Sequence, residues 1–139
     1  MRSILCSAFL LLAISCSGDE RTGNGEPLQI EARLSSIQPT IFDRSCANFS
    51  ACHDDSSPAG DLDLTAPAAY AQLIDRPATM SPSSLRVVPG EQDLSFLVRK
   101  LKGPLEEDEG ALMPFANPPL PPEEIQVIEE WIARGAAND

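Results

Sequence analysis

Between Met113 and Pro122, five of ten residues are proline: Met113-Pro114-Phe115-Ala116-Asn117-Pro118-Pro119-Leu120-Pro121-Pro122. Proline has no N–H to donate and its ring locks φ, so this stretch can be neither a helix interior nor a central strand. It reads as a stiff, extended strap. Pro39 and Pro67 are tolerable in the first turns of helices, whereas Pro77, Pro82 and Pro89 fall in a long loop. Such punctuation leaves room only for short helices.

Four are expected. The first runs from about Ile37 to Ser45, with Ile37, Ile41 and Phe42 on one face. A second starts after Thr65 as N-cap and continues through Ile74, burying Tyr70, Leu73 and Ile74. The third begins near Gln92-Asp93, carries Leu94, Leu97, Val98 and Leu101, and stops at Gly103. The last spans about Pro122 to Arg134, with Glu123-Glu124 at its positive end, Gly135 after it, and Ile125, Ile128, Trp131 and Ile132 as its buried stripe. Asp54–Gly60 and the acidic run Glu106–Glu109 read as loops, the latter solvated. No strand pattern and no internal repeat stand out. The chain has seven aromatic residues, one of them, Phe9, in an N-terminal segment that the domain would not retain. A domain of about 105 residues so built has a thin core and calls for something else to fill its centre.

That N-terminal segment is a short basic start, Met1-Arg2-Ser3, followed by an almost continuously apolar run from Ile4 to Ile14. It has the form of a secretory signal and is too short to remain as a spanning helix. It ends at Ala13-Ile14-Ser15-Cys16, which resembles a bacterial lipoprotein box, with Cys16 acylated and becoming the new N-terminus. Alanine three residues before the cysteine leaves ordinary signal-peptidase cleavage as the other reading. The glycine-rich polar stretch that follows is a flexible tether. The expected organisation is a lipoprotein signal over 1–16, a tether over 17–30 and one domain over 31–139. The formal charge of −11 argues against nucleic acid and anionic lipid head groups. It suits a protein that stays soluble beside a membrane and meets a basic partner, but most acidic surfaces are merely solvated, and that is the favoured reading.

With Cys6 in the signal and Cys16 lipidated, Cys46 and Cys52 remain for chemistry in an oxidising compartment. They stand in the run Cys46-Ala47-Asn48-Phe49-Ser50-Ala51-Cys52-His53, and His53 is the single histidine of the chain. A Cys-His pair with a second cysteine upstream is how a chain attaches haem covalently: thiols add to the two vinyl groups and the adjacent imidazole becomes an axial iron ligand. Met113, in the proline strap, is a natural sixth ligand, because fixed φ angles reduce the cost of ordering a weakly binding thioether. Met80 is the competing thioether, in a less rigid context.

The spacing is unusual. The common attachment run has two residues between the cysteines, and here there are five. Three outcomes stay open for Cys46: a bulging loop returns its sulfur to the second vinyl group, Cys52 alone attaches the haem, or the two cysteines form a disulfide that staples a secreted interaction module. A zinc site using Cys46, Cys52, His53 and a carboxylate such as Asp54 is a further alternative. With the only histidine so committed, no Ser-His-Asp or Cys-His catalytic pair is left, and no phosphate loop is visible.

From Ile37 to Ala136 the chain resembles a class I-type cytochrome c domain of the kind found in secreted proteins and lipoproteins of bacteria. The matching pieces are Ile41-Phe42-Asp43 leading to Cys52-His53, then Ser57 through Leu64. Val87-Val88-Pro89-Gly90 and Ser95 through Leu101 follow, then Met113-Pro114 before Pro118-Pro119-Leu120, and Glu123-Glu124-Ile125 through Trp131-Ile132-Ala133-Arg134-Gly135-Ala136. The Cys-x5-Cys-His spacing departs from the family pattern. The resemblance implies an all-α fold, a small bundle of about four short helices wrapped around haem with long loops, its first and last helices crossing. It also implies haem c held at Cys46 and Cys52, with His53 and Met113 on the iron. The expected protein is an electron carrier rather than an enzyme, lipid-anchored at the periplasmic or surface face of the outer membrane, exchanging electrons with redox partner proteins.

Overall fold

The computed structural model describes residues 29–50 and 52–139. The signal, Cys16 and nearly all of the expected tether lie outside the described residues. Among the described residues there are four α-helices: α1 (Leu34–Ile37), α2 (Ala69–Leu73), α3 (Phe96–Lys102) and α4 (Pro122–Ala133). Two strands, β1 (Pro77–Ala78) and β2 (Ser81–Leu85), pair antiparallel.

The all-α expectation is therefore corrected: the fold is mixed, with helices and a two-stranded hairpin. Its register pairs Pro77 with Leu85 and Ala78 with Ser81, and it shifts between the two pairs. Sequence reading places only loop here because the segment is rich in serine and proline and has no alternating apolar face. Tertiary bonds supply what the pattern lacks. Arg86 N–H donates to Arg76 O (2.7 Å), Asp75 N–H to Val87 O (3.1 Å) and Val87 N–H to Leu73 O (3.1 Å), which ties the hairpin base to the end of α2. Pro82 is tolerated because both strands are edges.

The first helix also differs. α1 is one turn long and continues as a π-helical segment, Gln38–Cys46, closed by the i→i+5 bond from Ala47 N–H to Phe42 O (2.8 Å). Pro39 removes one α-helical donor at the junction, and wide turns of this kind occur at functional sites. The buried Gln38 side chain bridges the winding to the next loop, donating to Asp43 Oδ1 (2.7 Å) and Leu64 O (2.8 Å). α2 starts at Ala69, with no side-chain cap from Thr65. The third helix is split, a 3₁₀ turn over Gln92–Leu94 followed by α3. Leu94 is consequently exposed, and Phe96 takes its expected place in the core. Gly103, at φ 76°, stops α3 as expected.

One apolar core joins both ends of the described residues. Ile37, Ile41 and Phe42 are buried with Leu64, Leu73, Val87 and the whole expected stripe of α4, Ile125, Ile128, Trp131 and Ile132. The C-terminal residue closes the assembly: Asp139 Oδ1 accepts from Leu34 N–H (3.0 Å) and Asp139 O from Ser35 N–H (2.8 Å), satisfying donors that a helix start leaves unpaired. The indole N–H of Trp131 donates to Ala137 O (2.9 Å). These bonds fix the position of the π-helical segment, and so of Cys46 at its end.

Candidate functional site

The π-helical segment delivers Cys46 to the wall of a cleft of about 290 Å³. His53 lines the same cleft, as do both competing thioethers, Met80 and Met113. Leu62, Leu64, Leu73, Phe96, Leu97 and Leu101 make most of the remaining wall apolar. Cys52 is half-buried and is not among the lining residues.

His53 is held from three directions. Its N–H donates to Cys46 O (3.1 Å), its carbonyl accepts from Leu64 N–H (2.8 Å), and its ring Nδ1 lies 3.0 Å from Leu62 O. A carbonyl can only accept, so Nδ1 carries the proton and Nε2 keeps its lone pair. Burial, together with the charges of Arg86 and Lys100, lowers the imidazole's affinity for a second proton against the pull of the Leu62 and Ala59 carbonyls. A neutral imidazole with one nitrogen anchored to a backbone carbonyl and the other free is the usual arrangement of a metal-binding histidine.

Met113 is half-buried at the start of the strap, its N–H donating to Lys100 O (2.8 Å). Met80, in the turn between β1 and β2, is 48% exposed. The structure thus places both methionines in the cleft wall, with Met113 the better anchored of the two. Burial pushes the Cys46 thiol up to about 12, with the neighbouring Cys52 and Glu124 adding to the effect and Arg44 opposing it. Cys46 and Cys52 are free thiols. Among the described residues no three His, Cys, Asp or Glu side chains gather to hold a metal ion. The carboxylate offered to the zinc alternative, Asp54, is engaged instead with the N–H and hydroxyl of Ser56 (3.1 and 2.8 Å).

Three charged residues of the cleft wall escape sequence reading. Arg86 is buried and spends its guanidinium on backbone, donating to Gln72 O (2.9 Å), Asp61 O (2.9 Å) and Gly60 O (3.2 Å). It thereby pins the hairpin to the loop after His53. A lone charge between Leu85 and Val87 is the one available signal. Lys100 donates to Glu109 O (2.9 Å). Glu109 corrects the expectation of a solvated acidic run: Glu106, Glu107 and Asp108 are exposed, but Glu109 is buried, ion-paired with Arg99 and accepting from Glu106 N–H (3.1 Å). The backbone bond from Glu106 leads in holding its carboxyl below the usual range.

Comparison of the chain with protein-family models, with curated proteins and with solved structures gives no match. The likeness to cytochrome c domains accordingly rests on the residues quoted above.

The residues gathered here are of the kinds that hold a haem: an imidazole whose Nε2 keeps its lone pair, two methionines and Cys46 in the wall of one apolar cleft, and Cys52 next to His53 in the chain, though outside that wall. An apolar wall with a few placed polar groups is what a cofactor site requires.

Proposed function

We propose that this protein binds one c-type haem covalently and carries single electrons between redox partners. The observation that carries the reading is His53, its Nδ1–H spent on Leu62 O, lining one apolar cleft with Cys46, Met80 and Met113. In this reading His53 and Met113 would hold the iron, and Cys52, adjacent to the histidine, would attach the porphyrin. Haem supplies the one-electron couple, and a methionine ligand raises its potential. The chain's part is to orient the imidazole through Leu62, to hold the weak thioether on a stiff strap, and to keep water from the iron with leucines and Phe96. The chain offers no second histidine for acid–base or nucleophilic work, which supports a carrier rather than an enzyme.

The carrier is placed outside the cytoplasm and tethered through acylated Cys16, at the periplasmic or surface face of the outer membrane. The apolar run ending at Cys16, with a polar linker behind it, supports this. Among the described residues no helix is long and apolar enough to cross a membrane. The negative charge of the chain suits basic redox proteins as partners.

The test is a haem-stained denaturing gel with intact mass, on protein from cells with active haem maturation. The wild type is expected to retain haem through denaturation, and Cys52→Ser to lose most of it. An unmodified wild-type polypeptide would refute the proposal.

A further inference from the structure

We propose that Arg86 is a positioning residue for His53, acting through the Leu62 carbonyl that holds the imidazole; the consequence at the iron rests on the haem reading, the geometry does not. Arg86 is 8% exposed and lines the cleft, yet among the described residues it makes no ion pair. Arginine keeps its charge when buried, and such burial is costly unless the donors are satisfied. Here backbone does most of that work. One nitrogen, Nη1, donates to Gln72 O and Gln72 Oε1 (both 2.9 Å), and the other, Nη2, donates to Asp61 O (2.9 Å) and Gly60 O (3.2 Å). The main chain of Arg86 is fixed as well, its N–H on Arg76 O (2.7 Å) and its carbonyl accepting from Leu97 N–H (2.9 Å). The guanidinium therefore reaches the loop after His53 from a base shared by the hairpin, α2 and α3.

That loop needs a clamp. Gly60 and Asp61 both have left-handed backbone, at φ 62° and 53°, which glycine adopts freely and aspartate only at a cost. The turn is exposed, so packing does not hold it. Its two carbonyls converge on one nitrogen of Arg86, and Thr79 Oγ1 adds a bond to Gly60 O (2.7 Å). The next residue is Leu62, whose extended backbone (φ −116°, ψ 101°) sets its carbonyl 3.0 Å from His53 Nδ1. On the far side Leu64 N–H donates to His53 O (2.8 Å), and Gln38 Nε2 donates to Leu64 O (2.8 Å). The Leu62 carbonyl is thus strung between two fixed points, Gln38 and Arg86.

A carbonyl that accepts from Nδ1–H orients the ring and makes Nε2 a stronger donor to a metal. Releasing the Asp61 end of the loop lets the Leu62 carbonyl swing and the ring with it. Lysine separates this role from that of the charge. Its compact ammonium keeps the charge but lacks the planar fork that spans Gln72 on one side and Asp61 on the other.

The test compares the solvent-exchange rate of the His53 ring N–H in nitrogen-15 spectra of the full chain and of Arg86→Lys, both made with haem maturation active and kept reduced. The ring proton of Arg86→Lys is expected to exchange about tenfold faster or more, as loss of a charge-assisted hydrogen bond allows, while the backbone amides of α4 keep their wild-type rates. An unchanged ring proton would overturn the inference. Acceleration of the ring proton and the α4 amides in equal proportion would overturn it too, since that is a general loss of stability. Should Arg86→Lys fail to fold, Arg86→Met fills the space without a charge and is read in the same way. If neither folds, Arg86 holds the whole molecule rather than one ring, and the inference falls. Intact mass of the same samples judges the haem reading separately: protein without haem overturns that reading and leaves the ring proton measurable. With haem bound, the reduction potential of Arg86→Lys is expected to rise, because its charge is kept and the imidazole becomes a poorer donor to ferric iron. An unchanged potential would overturn the link to the iron.

Discussion

At the scale of single residues, the account turns on which atoms are already occupied. His53 spends Nδ1 on Leu62 O and keeps Nε2, so its proposed role is supported by a bond that the sequence could not show. The two methionines are harder to separate, since both line the cleft. Met113 has the advantage of its backbone bond to Lys100 O and of the prolines that follow it, while Met80 sits half-exposed in a turn. Met113→Ala is expected to abolish the sulfur-to-iron charge-transfer band of the oxidised protein and to lower the reduction potential, because the soft thioether favours ferrous iron. Met80→Ala should leave both unchanged. The reverse outcome in the paired spectra and potentiometric titrations would transfer the ligand role to Met80. Histidine, cysteines and Met113 were legible as candidates because their chemistry is specific to residue type. Arg86 and Glu109 were not, because a charged side chain looks the same in sequence whether it faces water or pins two loops together.

Among the elements, α4 was read with its buried stripe intact because twelve residues give helical periodicity room to repeat. The hairpin is not legible in the sequence because a two-residue strand paired with a five-residue one has no repeat to read and is held by bonds from distant residues. The π-helical winding of Gln38–Cys46 is not legible for a related reason: apolar positions at Ile37, Ile41 and Phe42 suit both windings, and only the backbone bonds distinguish them. In a domain with so few aromatics, α4 carries a large share of the core. Trp131 is 1% exposed, and its indole N–H is tied to Ala137 O. Trp131→Ala should destabilise the fold by roughly 3–5 kcal/mol, read as a lowered urea midpoint with the slope unchanged. A loss below about 1 kcal/mol, within the range of ordinary surface substitutions, would mean that α4 does not anchor the core.

For the whole molecule, the proposed tether and the proposed haem site make separate claims. Fractionation should place the wild type with membranes and Cys16→Ser in the soluble periplasm or uncleaved, since the several acyl chains of a bacterial lipoprotein hold far more firmly than one. A soluble wild type with an N-terminus other than Cys16 would remove the tether and leave the cleft unaffected. The central claim is that His53 and its neighbours hold a redox-active haem. The most direct measurement is the visible absorption spectrum of the intact protein, produced with haem maturation active, before and after reduction. Sharp α and β bands should appear on reduction and vanish on reoxidation, and His53→Ala should lose them. A wild-type protein whose spectrum is featureless in both states would contradict the account.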